Sequence, residues 1–180
     1  VLFIDEAHHL YKPNNERDYG AEAIELLLQV MENQREDLII IFGGKKEKLE
    51  VFFNSNPGIS SRIGNHIDFP DYKLNDLKDI TKYLLTNVNR YKVTPESLTI
   101  LSFYIEQLID KPAFANVRTL KILLNQLMSY QAIRIEKSLN EKGKIEYKEL
   151  ITLIQDDFKY FSSEDFINII GDENIKLFKV

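Results

Sequence analysis

The sequence predicts an α/β fold, a partial parallel sheet followed by an all-helical portion, and three observations carry that reading. Two short runs, Val1-Leu2-Phe3-Ile4 and Leu38-Ile39-Ile40-Ile41-Phe42, are wholly apolar and of strand length, the pattern of strands in a parallel sheet. Between them Ile24, Leu27, Leu28 and Met31 recur at helical spacing, so strand, helix and strand form a βαβ unit. From residue 73 onward the apolar residues keep helical spacing almost throughout.

Each element has its own local signal. After the first strand, Tyr11 to Gly20 is rich in Pro, Asn and charge and predicts a loop, a place where function concentrates. Ala21 to Asn33 is the one-sided helix, and Gly43-Gly44 ends the second strand. A helix over Glu47 to Phe53, a turn at Asn56-Pro57-Gly58 and a last short strand at Ile67-Asp68-Phe69-Pro70 are expected next. Asn75 is placed to cap a helix carrying Leu77, Ile80, Leu84 and Val88. Thr94-Pro95-Glu96 reads as a cap followed by Pro at the first helical position, opening a helix with Leu98, Leu101, Ile105, Leu108 and Ile109. Asn116 begins a third helix, with Leu120, Leu123, Leu124 and Leu127 on one face. A charged turn from Asn140 to Lys144 leads to a fourth helical segment with Leu150, Leu153 and Ile154. Residues 162–180 have weaker periodicity and read as a docking helix or a frayed tail. The expected division is a partial core over 1–72, a helical lid over 73–161 and an extension over 162–180.

Bulk properties exclude several classes. With 180 residues, 44% of them hydrophobic, the chain buries a real core. A net charge of −5 disfavours nucleic acid, whose counterions only a basic surface displaces. No apolar run approaches the roughly 18 residues of a membrane span, so no membrane partner is expected. There is no cysteine, hence no disulfide and no thiolate metal site. The wealth of Lys, Ile and Asn is the bias of an AT-rich genome.

Chemistry concentrates where the first strand ends, at Asp5-Glu6. A parallel strand delivers its C-terminal residues to the crevice where α/β sheets bind ligands. Two adjacent carboxylates there match the second half of an ATP-hydrolysis site. Asp5 is the expected Mg²⁺ residue, acting through water, since Mg²⁺ prefers hard oxygen ligands and keeps its waters. Glu6, projecting the other way, is the expected base that orients and deprotonates the attacking water. A phosphate-cradling G-x-x-x-x-G-K-S/T segment does not occur in the 180 residues, and the chain does not open with Met. The expectation is therefore part of a longer ATPase, or a truncated relative. His8, His9 and His66 lack a carboxylate or histidine at ligand spacing, so no zinc site is expected.

A family resemblance rests on Phe3-Ile4-Asp5-Glu6-Ala7, Asn15 to Gly20, Glu22-Ala23-Ile24-Glu25, Leu28 to Arg35, Ser55-Asn56-Pro57-Gly58, Ser60-Ser61-Arg62-Ile63, Asn65 to Tyr72 and Phe114-Ala115-Asn116. Taken together these resemble an AAA+ ATPase from its Walker B strand to its lid, and in detail the CbbX (CfxQ) group, the red-type Rubisco activases. The fold so implied is the C-terminal half of an AAA+ P-loop NTPase core followed by an α-helical lid. In roles, the resemblance makes Arg62 an arginine finger reaching into the neighbouring subunit's ATP site, and Arg118 the residue that reads the γ-phosphate from the lid. It implies ATP and Mg²⁺ as cofactors, a ring of subunits, hexameric in expectation, and the Rubisco large subunit as partner. Its compartment is the plastid stroma of a red-lineage alga, or alternatively a bacterial cytoplasm. Loop 12–20 falls where such rings place a second pore loop, with Asp18-Tyr19 facing the channel or Tyr19 packed.

Departures accompany the likeness. Gly43-Gly44-Lys45 stands where the group usually has Ala-Gly-Tyr, His8-His9 replaces a tyrosine pair, and Arg118-Thr119-Leu120-Lys121 replaces Arg-Ser-Ile-Arg. Arg62 also reads as a residue that only stabilises its own turn, and Arg118 as a solvated helix start. Alternatives for the whole are a truncated, non-hydrolysing relative or an ATPase of the same clade, of sporulation or secretion type, with another protein partner. Asp5-Glu6-Ala7-His8 also spells a helicase motif, but no Ser-Ala-Thr follows it.

Overall fold

The computed structural model describes residues 1–12 and 19–171, so the expected pore residue Asp18 lies outside the described residues. Among them the chain is mostly helical with two small parallel sheets, an α/β core fragment followed by a helical lid. It divides into two compact units, Val1–Phe69 and Pro70–Val180.

In the first unit β1 (Leu2–Ile4) pairs in parallel with β2 (Ile40–Phe42), in the register Leu2 to Ile40, Phe3 to Ile41 and Ile4 to Phe42. The crossover is α1 (Gly20–Asn33), which buries Ile24. This is the βαβ unit the sequence predicts. Burial differs from expectation, because Phe3 is 59% and Ile41 47% exposed, whereas a parallel sheet normally covers both faces. α2 (Lys46–Ser55) turns Phe52 inward, where it meets Phe42 and Phe53 at ring separations of 6.1 and 5.4 Å. Ile24, Phe52 and Ile59 form the buried centre, with Leu10, Leu28, Leu49 and Ile63 around it.

The expected turn at Asn56-Pro57-Gly58 is instead the entry to a one-turn helix, α3 (Pro57–Ser60). Pro57 sits at its first position, where a missing N–H costs nothing and the fixed φ suits a helix. Asn56 supports it by donating from Nδ2 to the Phe52 carbonyl at 2.8 Å. The expected strand at Ile67–Pro70 is not present: those residues form no ladder, and Ile67 and Phe69 are 77% and 91% exposed. An apolar run becomes a strand only where a neighbouring strand accepts its backbone hydrogen bonds, and the ladder of this unit consists of β1 and β2.

The second unit begins with α4 (Leu74–Tyr83), one residue ahead of the expected cap at Asn75. Leu74 and Leu77 pack with Ile105 and Leu120, which draws the first turn forward. The Asp76 carboxylate then accepts from the Lys73 N–H at 3.2 Å. A π-helical turn, Leu84–Val88, follows directly. α5 (Pro95–Leu108) starts as predicted, with Thr94 Oγ1 accepting from the Ser97 N–H at 3.3 Å. α6 (Val117–Lys142) runs 26 residues, about 39 Å at 1.5 Å per residue. It stops at Gly143, whose φ of 70° gives the left-handed C-terminal cap that glycine adopts without strain.

Beyond α6 the predicted helix around Leu150 to Ile154 is only half right. α7 (Tyr147–Leu150) is a single turn, and Thr152–Leu153 is a strand, β4, paired in parallel with β3 (Lys92–Val93). Arg134 of α6 fixes this region by donating to the fully buried Asp157 carboxylate and to the Thr152 carbonyl at 2.9 Å. The segment from residue 162 carries α8 (Ser163–Ile170), whose Phe166 and Ile170 lie in the same core as α5 and α6. At its centre Tyr104 meets Phe158, Phe161 and Phe166 at 6.0, 5.5 and 5.1 Å. Asp165 locks α8 to α6, accepting from Tyr130 at 2.6 Å and Gln126 at 2.9 Å while capping through Ser162. Burial and the Asp165 hydrogen bond hold the Tyr130 hydroxyl above its ordinary pKa.

Phe166→Ala is expected to cost about 3–5 kcal/mol, since the side chain is fully buried among aromatic rings. Urea denaturation followed by far-UV circular dichroism measures this, and a loss below 1 kcal/mol would remove α8 from the core.

Candidate functional site

The sequence-predicted carboxylates stand at the C-terminal end of β1. Backbone bonds tie that end to the end of β2: the Gly43 N–H donates to the Ile4 carbonyl at 2.8 Å, and the Ala7 N–H to the Gly43 carbonyl at 3.0 Å. Asp5 is exposed, and its Oδ1 accepts the Glu6 N–H at 2.9 Å. A Cβ at position 43 would lie 2.9 Å from the Phe3 ring and 3.4 Å from Asp5 Oδ1. Glycine here therefore lets β2 press close to the Asp5 carboxylate.

Glu6 adopts φ 48° and ψ 42°, the left-handed region that a side chain rarely occupies. Such a conformation costs on the order of 1–3 kcal/mol and persists where the surroundings enforce it. Here the enforcement is the β1–β2 pairing on one side and a 3-10 turn, Ala7–Leu10, on the other. The kink separates the two carboxylates: Asp5 stays beside Gly43, while a Glu6 oxygen lies 3.4 Å from His8 Nδ1.

That turn also brings together what the sequence reading kept apart. Glu6, His8 and His9 each offer a ligand atom, all within 4.8 Å of one another, so the expectation that these histidines lack a partner is corrected. The left-handed backbone of Glu6, immediately before the tight turn Ala7–Leu10, is what turns its carboxylate back toward the two histidines. The two imidazole rings lie 4.3 Å apart. Burial, with the nearby His9 and Lys48 charges, holds His8 below its ordinary pKa against the opposing pull of Glu6.

Arg62 follows α3 and points back along its own unit. Its Nη2 and Nε donate to Glu32 Oε2 at 2.9 and 3.3 Å, and its Nη1 donates to the Gly58 carbonyl at 2.9 Å. Glu32 comes from the last turn of α1, so one exposed ion pair links α1 to α3. Arg118 belongs to the second unit, on the first turn of α6, exposed, with its backbone N–H bonded to the Ala115 carbonyl. That turn is secured by Thr119 Oγ1, which accepts the Ala115 N–H at 2.8 Å. Asn116, just before it, takes φ 50° and binds Asp71 at 2.6 Å and the Tyr72 N–H at 3.1 Å instead of capping.

Residues 74–166 match the AAA lid domain family. Over 158 residues the chain is 51% identical to a protein CfxQ homolog of Trieres chinensis, covering 87% of this chain and 53% of that protein. It is 48% identical over 161 residues to a chloroplastic ribulose bisphosphate carboxylase/oxygenase activase of Cyanidioschyzon merolae, covering 88% and 52%. Protein CbbX of Cereibacter sphaeroides is 46% identical over 159 residues, covering 88% and 50%. The chain spans about half the length of the curated relatives it matches.

Glu32→Ala should lower stability by no more than about 1 kcal/mol, the usual range for an exposed ion pair. Urea denaturation tests this, and a loss near 3 kcal/mol would make Arg62 a structural residue of its own unit.

Proposed function

The chain belongs to the CfxQ/CbbX family of AAA+ proteins, and on that premise we propose that it supplies the Walker B and lid half of an ATPase that remodels Rubisco. The observation that carries the proposal is the pair of carboxylates, Asp5 and Glu6, at the C-terminal end of a parallel strand and turned apart by the Glu6 backbone. ATP and Mg²⁺ are the cofactors the family implies. The exposed Asp5 carboxylate, a hard oxygen donor, fits a magnesium ion held through water. Bound Mg²⁺ supplies charge neutralisation at the phosphates.

Within this reading Glu6 orients the attacking water and takes its proton. Arg62 acts in a neighbouring subunit, stabilising charge on the transferring phosphoryl group, an effect of about 10³ to 10⁵ in rate for arginine fingers. Its contact with Glu32 is no obstacle, because an exposed pair worth about 0–1 kcal/mol exchanges readily for a phosphate. Arg118 contacts the γ-phosphate from the lid. A finger acting between chains requires a neighbouring subunit, and we take the assembly to be a hexameric ring. The exposed Phe3 and Ile41 are surface of the kind that helices packed on the faces of such a core cover. We take the Rubisco large subunit as the partner and the plastid as the compartment, with a bacterial cytoplasm as the alternative; the chloroplastic ribulose bisphosphate carboxylase/oxygenase activase among the relatives supports this reading.

In an ATPase assembled from chains that carry this sequence together with a phosphate-binding loop, Glu6→Gln should keep ATP binding and slow hydrolysis by roughly 10² or more. Arg62→Ala should be inactive as well. Mixing the two variants restores interfaces with an intact Glu6 opposite an intact Arg62, so steady-state ATPase activity should partly recover. Assembled mixed rings showing only the sum of the two residual activities would reject the finger role.

A further inference from the structure

The 3-10 turn after β1 gathers Glu6, His8 and His9 into a cluster that the ATPase reading leaves largely unused. His8 has little access to solvent, its side chain being 11% exposed. Neither of its ring nitrogens has a hydrogen-bond partner. An imidazole whose two nitrogens are both shielded from solvent and unsatisfied calls for a partner that is not among the described side chains. The carboxylate beside it is placed at a telling distance: Glu6 Oε2 lies 3.4 Å from His8 Nδ1. Two ligands of a tetrahedral zinc ion, each at about 2.0–2.2 Å from the metal, stand about 3.4 Å apart. His9 is exposed and brings a third ligand atom within 4.8 Å of the other two. Its ring already lies 4.3 Å from that of His8, and the rotation needed to bring a nitrogen to ligand distance is one between staggered side-chain rotamers.

We propose that Glu6, His8 and His9 form a three-ligand site for a late first-row divalent ion such as Zn²⁺, with a fourth position open to water. The donor set argues for that class, because imidazole nitrogen suits zinc, copper and nickel while Mg²⁺ takes oxygen ligands. The site is distinct from the Asp5 carboxylate, which faces Gly43. One consequence rests on the ATPase reading: a metal held by Glu6 withdraws the water-activating base, so occupation of this site switches hydrolysis off. Metal binding itself does not depend on that reading.

The test uses the 180-residue chain and zinc alone, titrated in competition with a chromophoric chelator, with Co²⁺ absorption reporting coordination. One Zn²⁺ per chain is expected, together with the intense visible bands of low-coordinate Co²⁺. His9→Ala, at an exposed position that leaves the core intact, should weaken binding roughly tenfold or more, and so should Glu6→Gln. His66→Ala, which removes a histidine outside the cluster, should change nothing. Absence of zinc binding, or binding unaltered in His9→Ala and Glu6→Gln, overturns the proposal. Neither result bears on ATP hydrolysis, which the mixed-subunit measurement tests separately.

Discussion

The parallel pairing of β1 with β2 is the constraint on which the candidate site depends. Three apolar residues on each strand fix the register, and the last bonds of the ladder hold Gly43 against Ile4 and Ala7. A slip of one residue would turn every side chain to the opposite face and move Asp5 away from Gly43. The same pairing enforces the left-handed backbone of Glu6, so that two consecutive carboxylates serve different directions. A short, highly apolar strand is thus the means by which adjacent acids come to face different neighbours.

The second unit solves a different problem, that of holding several irregular pieces to one long helix. Its apolar core is centred on Tyr104, but position is set by two buried carboxylates. Asp157 receives Arg134 and the Ile154 N–H, and Asp165 receives Tyr130, Gln126 and Ser162. Each is satisfied several times over. Buried charge is costly unless so completely paired, and the pairing pins the 3-10 turn Gln155–Phe158 and the start of α8 to α6.

Legibility in the sequence followed the kind of force at work. Leu38 to Phe42 was readable as an unbroken apolar run of strand length, and the Leu stripe of α6 because burial imposes a helical period on it. Thr94-Pro95 was readable because capping is local chemistry. The pairing of Lys92–Val93 with Thr152–Leu153 was not, since each strand is two residues long and its partner is remote in sequence. Ile67–Pro70 has the composition of a strand but no neighbour to complete it, which composition cannot reveal. At the site, Asp5 and Glu6 were legible from strand polarity. The gathering of His8 and His9 around Glu6 was not legible because it depends on the left-handed backbone of Glu6 and the tight turn that follows, which residue types and spacing do not reveal.

The aromatic centre of the second unit also has a consequence for biogenesis. Tyr104 lies in α5, but the rings that enclose it, Phe158, Phe161 and Phe166, emerge more than fifty residues later. While a ribosome is still adding them, α5 and α6 present an open apolar trough, a surface prone to aggregation until its cover arrives. Closure of this unit is therefore a late event in synthesis, and a nascent chain stalled before residue 158 would be a substrate for chaperones.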